Sequence, residues 1–269
     1  MTGDPQTGLD QGPLIVRRDE DIVWAELNDP ERANALSPAM IEKLTDLYRR
    51  DLRSQGVRAL ILSGAGRHFS AGADLEHLRA LREADATAQR IDSRHLRDLF
   101  QAVLEQEVLT LALVQGACVA GGVGLATAHD FVVATREARF LYSEVRIGFV
   151  AALVATFLPL RVKGSDLREL LLNPEFIDSE KALAIGLANQ VVEADDLRNE
   201  GRRLALSILE RASSESIART KRLLLRLLGR PLDDRLMIAT EENASARTTE
   251  DCQRGISTFL ETKKPPRWR

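Results

Sequence analysis

The chain has 269 residues, of which 44% are apolar, with a formal net charge of -3 and two cysteines. This length accommodates one large domain, or a domain with an extension. The slightly acidic balance argues against a nucleic-acid surface, and Cys118 and Cys252 provide neither a disulfide framework nor metal-ligand spacing. No apolar run approaches the roughly 18 residues that span a membrane. Because the first residues show no basic-then-apolar signal pattern, we expect a cytoplasmic protein.

The first quarter of the chain is predicted to contain a short polar lead followed by two strands, a helix and a third strand. Residues 1–12 are expected to be a disordered lead. Two short strand-like runs, 14–18 and 22–27, flank a polar turn and predict a β-hairpin. The stretch 37–56 opens with a serine suited to helix capping and closes with a glycine, so it predicts a helix. Residues 57–62 predict the third strand, and this order indicates helices packed on sheets.

Two loops rich in glycine and alanine each follow a predicted strand and lead into a predicted helix. The first spans residues 64–75 and the second spans 115–126. At such a turn, backbone N–H groups lack partners within the helix, and the helix dipole favours negative charge. Our interpretation is that the two turns supply one donor each, near Ala73 and near Gly121, to a developing oxyanion. A tight packing turn that binds no ligand is the alternative.

One side chain stands out as a candidate for acid–base chemistry. Glu144 lies between a tyrosine–serine pair and a long apolar segment, and burial there would raise its pKa and let it exchange protons near neutral pH. A solvated glutamate, or one in a salt bridge with Arg146 or Arg139, is the alternative. The histidines show no metal-ligand spacing, so we expect no metal site and interpret all four as structural or surface residues. They are His68, His77, His95 and His129.

A change of pattern near residue 195 divides the chain. Predicted strands and helices alternate before it, whereas only helical patterns follow it. Those patterns cover roughly 195–211, 214–228, 232–246 and 248–261. A leucine-rich helical region of this kind is typical of an oligomer interface, with a helical cap on the chain's own core as the alternative. We therefore divide the chain into a mixed core, 13–194, and a helical C-terminal region, 195–269.

Several motifs, in order along the chain, resemble the enoyl-CoA hydratase/isomerase (crotonase) family. They are NDPERANALS at 28–37, HFSAGADL at 68–75, AGGVGL at 120–125, Asp130, and SEVRIG at 143–148. The resemblance runs from about residue 14 to Trp268. It implies an α/β fold, a crotonase-like spiral of ββα units with an all-helical C-terminal region that builds homotrimers, or hexamers made of two trimers. It also implies an acyl-CoA substrate and no separate cofactor, because coenzyme A is part of that substrate.

The resemblance also implies roles for particular residues. It places the two oxyanion N–H donors on Ala73 and Gly121 and the catalytic carboxylate on Glu144. Contacts with coenzyme A and the acyl group fall on Arg32, Ala33, Ser70, Ala71, Gly72, Ala73, Asp74, Leu75, Gly121, Gly124 and Lys263. The basic residue near the C-terminus, Lys263 or its neighbour Lys264, would approach the phosphates of coenzyme A bound to a neighbouring subunit.

The chain departs from the family at one catalytic position. Hydratases of the family usually carry two glutamates; the second matches Glu144, whereas the first falls on Gly124, which has no side chain.

Three hypotheses about function follow. The first is an enoyl-CoA hydratase, a lyase acting on a 2-enoyl-CoA, and the second is an enoyl-CoA delta-isomerase with Glu144 as its sole acid and base. The third is a binding or assembly protein that keeps the acyl-CoA pocket without chemistry. No nucleic-acid or membrane partner is expected.

Overall fold

The computed structural model describes residues 12–269, so the expected disordered lead falls almost entirely outside the described residues. Two sheets form the framework. The strands are β1 (Leu14–Asp19), β2 (Ile22–Leu27), β3 (Ala59–Gly64), β4 (Leu109–Val114), β5 (Ala117–Val119), β6 (Phe131–Thr135), β7 (Arg139–Leu141), β8 (Ile177–Asp178) and β9 (Gln190–Val192). The larger sheet has the order β1-β2-β3-β4-β6-β9, and the smaller has the order β5-β7-β8.

The helices cover both faces of the larger sheet. They are α1 (Pro38–Tyr48), α2 (Leu75–Arg82), α3 (Ala86–Glu105), α4 (Gly121–Thr127), α5 (Gly164–Leu172), α6 (Ser179–Ala184), α7 (Leu197–Arg211), α8 (Ser214–Leu227), α9 (Leu232–Ala246) and α10 (Glu250–Thr262). The mixed α/β architecture predicted from the sequence is confirmed, with a largely parallel sheet and a run of helices at the C-terminal end. Within residues 12–269, no helix combines the length and the apolar character needed to cross a membrane.

Strand direction explains why the two glycine-rich loops meet. The β1–β2 hairpin is antiparallel, with Leu14 opposite Leu27, but β2, β3, β4, β6 and β9 pair in parallel. In a parallel pair, both carboxyl ends point to the same edge of the sheet. Since β3 and β4 are neighbours, the loops that follow them emerge side by side at that edge.

Alternation along the strands separates two apolar layers. In β3, Leu60 and Leu62 face the layer that contains α1, α3 and α4, whereas Ala59 and Ile61 face α7. This is the two-residue period of a strand buried on both faces. The first layer carries the two loops, so the candidate site lies on the side of the sheet opposite α7.

Helix α1 begins as predicted but is shorter than predicted. Ser37 Oγ accepts a hydrogen bond from Met40 N at 3.3 Å, and the helix opens with Pro38. It ends at Tyr48 rather than near Gly56. Asp51 Oδ1 accepts a hydrogen bond from Ser54 N at 3.0 Å, a local turn that replaces helical bonding.

The helical C-terminal region is anchored to the sheet by packing and by polar contacts that include a partly buried ion pair. Ala205 and Leu209 of α7 pack on the strands, while Lys221 of α8 lies 2.6 Å from Asp130 Oδ2. Burial lowers the pKa of Lys221, which the neighbouring carboxylate opposes. Beyond α8, large apolar side chains are exposed; they include Leu232, Leu236, Met237, Phe259 and Leu260. These faces are compatible with the predicted oligomer, which stays a prediction, as does the functional division at residue 195.

Candidate active site

The loops after β3 and β4 pack directly against each other. Ser70 forms a parallel bridge with Cys118, and Val119 N donates to Ser70 O at 2.9 Å. Gly72 has a φ of +82°, and a Cβ there would stand 2.6 Å from Val119 O and 3.4 Å from Gly121 N. Only glycine combines that backbone conformation with so close an approach. The structure therefore brings the Gly72–Ala73 peptide next to Gly121, as the sequence predicted for the two turns.

Two backbone donors at this junction are free of partners within residues 12–269. Neither Ala73 N nor Gly121 N donates a hydrogen bond to any of those residues, although the surrounding backbone is well bonded. Leu36 N, for example, donates to Gly72 O at 2.7 Å and holds the first turn in place. Two such donors at one junction match the requirement of an oxyanion site.

The residue before Gly121 has an unusual backbone conformation that the sequence did not reveal. Ala120 has φ 49° and ψ −118°, a region that residues with a Cβ rarely adopt. Its N–H donates to Leu141 O at 2.7 Å, and Val119 lies opposite Leu141 in the β5–β7 pair. Strained residues of this kind cost roughly 1–3 kcal/mol and cluster at functional sites. An alanine carries no sequence signal for this conformation.

Glu144 lies three residues after Leu141. Because Leu141 O accepts the hydrogen bond from Ala120 N, this part of the chain runs beside the second glycine-rich turn. Glu144 Oε2 is shielded from solvent and has no hydrogen-bond partner among residues 12–269. Burial raises the pKa of this carboxyl, as expected from the sequence, although backbone hydrogen bonds partly oppose the shift. The salt bridges considered as alternatives do not form. Arg146 donates to Pro174 O, and Arg139 lies 5.1 Å from the centre of the Phe176 ring.

Gly124 is buried and faces apolar side chains. A Cβ at this position would lie 2.8 Å from Phe100 Cζ and 2.8 Å from Val154 Cγ2. Phe100 is 3% exposed and packs edge to face on Phe157, with ring centres 5.5 Å apart. Where the family resemblance puts a first glutamate, this chain therefore has an apolar wall and no room for a side chain.

Several residues expected to contact coenzyme A are held by other parts of the chain. The Arg32 guanidinium lies 2.8 Å from Asp29 Oδ2 and 3.1 Å from Asp74 Oδ2. Asp74 also caps α2, because its Oδ1 accepts hydrogen bonds from Glu76 N and His77 N at 2.8 and 3.0 Å. The charges of Arg32 and Asp74 are thus already paired, and we infer that both shape the loop rather than offer a free charge.

The other residues of this group differ in exposure. Ser70 is fully buried, and its Oγ donates to Asn34 O at 2.8 Å. Ala71, Ala73 and Leu75 are exposed, and Ala33 is partly exposed with a left-handed φ of 48°. The exposed residues lie at the surface of the junction between the two loops, whereas the buried Ser70 stabilises the first loop through its hydrogen bond to Asn34 O. Their predicted contacts with coenzyme A stay predictions.

Asn34 organises the first loop and was not singled out from the sequence. It is fully buried, and its Oδ1 accepts a hydrogen bond from Asp29 N at 2.9 Å. Its Nδ2 donates to Ala65 O at 2.9 Å and to His68 O at 2.8 Å. One amide therefore ties the segment before α1 to the loop after β3. An asparagine in a loop is too common a feature to have revealed this.

Three of the four histidines, His68, His77 and His129, make contacts that a structural role explains. His129 is buried with Tyr48 Oη 2.5 Å from its Nε2, and burial lowers its pKa to about 3, so it is neutral at physiological pH. His68 Nδ1 accepts a hydrogen bond from Ala117 N at 3.0 Å, and His77 pairs with Asp92. Within residues 12–269, no group of three or more histidine, cysteine, aspartate or glutamate side chains could hold a metal ion.

Lys263 lies at the end of α10 with a φ of 58°, and the chain then turns back. Trp268 N donates to Glu210 O at 2.9 Å, and Arg269 pairs with Asp21. These contacts fasten the C-terminal segment to α7 and to the β1–β2 turn. That side of the sheet is opposite the two glycine-rich loops. A contact of Lys263 with coenzyme A bound to a neighbouring subunit stays a prediction.

Comparison with known proteins gives a consistent result. A family model described as enoyl-CoA hydratase/isomerase matches residues 17–269. A Thermus thermophilus protein provisionally named an enoyl-CoA hydratase is 42% identical over 242 residues, which cover 90% of this chain and 95% of that protein.

Two further similarities bear on the fold and on the reaction. The crystal structure of an enoyl-CoA hydratase from Mycobacterium smegmatis is 29% identical, with a TM-score of 0.88, and covers 96% of this chain and 99% of that one. A mitochondrial Delta(3,5)-Delta(2,4)-dienoyl-CoA isomerase of Dictyostelium discoideum is 27% identical and covers 88% of this chain and 84% of its own length. Hydratases and an isomerase therefore both occur among the relatives.

Proposed function

Because this chain belongs to the enoyl-CoA hydratase/isomerase family, we propose that it acts on an enoyl-CoA thioester through an enolate held by two backbone N–H groups. The observation that carries the proposal is the junction itself: Ala73 N and Gly121 N have no partners in residues 12–269, and Glu144 lies three residues after Leu141, which accepts a hydrogen bond from Ala120. Charge that develops on the thioester oxygen would be stabilised by donors already in position.

Glu144 supplies the proton transfer in this proposal. Burial raises the pKa of the Glu144 carboxyl, and a raised pKa brings a carboxyl closer to the range in which it both accepts and returns a proton. Its unpartnered Oε2 is available to a water molecule or to a substrate proton. A protein that only binds acyl-CoA would have no need for an unpaired, buried carboxylate, so this observation argues against the non-catalytic hypothesis.

Hydration of a 2-enoyl-CoA is the first reaction we propose, and the names of the relatives support it. The oxygen of water bonds to the β-carbon while the double-bond electrons move toward the thioester oxygen. Glu144 takes one proton from that water and returns it to the α-carbon as the enolate collapses. The net reaction adds one water molecule across the carbon–carbon double bond.

Isomerisation is the second candidate, and one specific observation favours it. The apolar wall of Phe100 and Val154 beside Gly124 leaves Glu144 as the carboxylate of the site. A single carboxylate suffices to remove a proton from the α-carbon of a 3-enoyl-CoA and to return it to the γ-carbon, which moves the double bond. No water is consumed in that reaction.

One experiment distinguishes these possibilities. The protein is incubated with a 2-enoyl-CoA and, separately, with a 3-enoyl-CoA, and the products are identified by chromatography and mass spectrometry. Appearance of a 3-hydroxyacyl-CoA supports hydration, whereas conversion of the 3-enoyl into the 2-enoyl isomer supports isomerisation. Calorimetric titration with acetoacetyl-CoA, an enolate mimic, tests binding independently. Saturable binding without either product would support the non-catalytic alternative, and no binding at millimolar ligand would contradict the proposal.

A further inference from the structure

A cavity of about 290 Å³ lies behind Phe100, outside the candidate active site. Its apolar lining comes from Leu104 of α3, from Leu153 and Phe157, and from Leu225 of α8. Exposed polar side chains of α3 stand at its rim. The cavity therefore opens between α3 and α8, and Phe100 is also part of its wall.

Phe100 contacts both this cavity and helix α4, which begins at Gly121. The tip of its ring, Cζ, is the atom that a Cβ at Gly124 would approach to 2.8 Å. Gly124 lies three residues after Gly121 in α4, which is less than one helical turn. The Phe100 ring tip therefore meets α4 within one turn of the candidate donor Gly121 N, and Phe100 also borders the cavity. With 3% exposure and an edge-to-face contact with Phe157, the ring is firmly held.

We propose that Phe100 is the specificity-determining residue that ends the acyl-binding space, and that the cavity behind it is a blocked extension of that space. The inference rests on the proposed acyl-CoA function. An acyl chain that extends past Gly124 meets the ring tip and the Val154 methyl group, so the native protein selects short acyl chains. Each methylene that becomes buried strengthens binding about fourfold. Removal of the ring joins the site to an apolar cavity in which further methylenes are buried.

The test measures how affinity depends on acyl length. Calorimetric titrations use saturated acyl-CoA thioesters of four, eight and twelve carbons with the native chain and with Phe100→Ala. We expect no gain in affinity beyond the short chain for the native protein. For Phe100→Ala we expect a gain of at least tenfold from the shortest to the longest ligand, which two newly buried methylenes would produce. Phe100→Leu, which keeps more of the volume, serves as the test if the alanine variant does not fold by circular dichroism.

Two controls separate a change of specificity from general loosening. Phe131→Ala removes a ring on the α7 side of the sheet and should leave the length dependence unchanged. Leu104→Trp, added to Phe100→Ala, refills the cavity and should restore the preference for short chains. A folded Phe100 variant with native length dependence would overturn the inference, as would a native protein that already gains affinity up to the longest ligand. Failure of the native protein to bind any of the three thioesters would overturn the proposed function and this inference with it.

Discussion

Glu144→Gln is the substitution that tests the acid–base assignment most directly, because it keeps the shape of the side chain and removes its ionisation. Within residues 12–269 the carboxylate forms no salt bridge and its Oε2 has no hydrogen-bond partner, so the Glu144→Gln chain should still fold. The oxyanion donors belong to the backbone and are unaffected. We therefore expect turnover to fall by about 10²–10⁴, the usual contribution of general acid–base catalysis, with acyl-CoA affinity nearly constant.

The raised pKa of Glu144 also predicts a pH dependence of stability, and its sign follows from linkage. Burial makes the folded state bind the Glu144 proton more tightly than the unfolded state does. This contribution to the free energy of unfolding is fully present below the ordinary glutamate pKa. It is lost as pH rises through the raised pKa of Glu144 in the folded state. Glu144→Gln has no such loss, so its free energy of unfolding relative to the native chain should increase across this window. Native turnover should rise through the same window, because both candidate reactions begin with the ionised carboxylate.

The assay combines turnover, titration with acetoacetyl-CoA and urea unfolding at several pH values. Glu137→Gln is the matched control, since Glu137 carries the same side chain in the exposed β6–β7 turn. It should change turnover by less than about twofold, as surface substitutions usually have small effects. Native turnover in Glu144→Gln, with binding retained, would show that the catalytic base lies elsewhere and would refute the site assignment.

Four further outcomes test other parts of the structure. Gly121→Pro deletes one oxyanion donor and should lower turnover by at least about 10²; Gly121→Ala keeps the N–H and should stay active if the donor is what matters. Gly124→Glu should lower the melting temperature, since a Cβ there would stand 2.8 Å from apolar side chains and overpacking costs about 1–3 kcal/mol. Lys221→Met should cost roughly 2–3 kcal/mol in urea unfolding, less than for a fully buried pair, because Asp130 is partly exposed. Light scattering should give three or six times the 29.8 kDa chain mass, and a monomer at micromolar concentration would contradict the oligomer prediction.

Local sequence features predicted several elements of the fold. The serine at 37 and the proline after it predicted the start of α1, and the helical patterns after residue 195 correspond to α7 through α10. Capping and apolar periodicity act over a few residues, so they can be read without knowledge of the fold. The end of α1 was misjudged, because a side-chain turn at Asp51 competes with helical bonding there.

The residues alone indicated that the two small-residue turns could supply backbone donors, because such donors need glycine or alanine rather than a recognisable side chain. The family resemblance joined Glu144 to these turns, and that site assignment stays a prediction. Only the tertiary structure decided what surrounds them. Phe100 and Gly124 are separated by two strands, β4 and β5, along the chain, yet a Cβ on Gly124 would meet the Phe100 ring tip. Ala120, with its unusual backbone conformation, likewise donates a hydrogen bond to Leu141 O of β7, a strand that lies apart from it in sequence. Contacts between residues far apart in sequence depend on how the sheet and helices pack, and no local pattern encodes them.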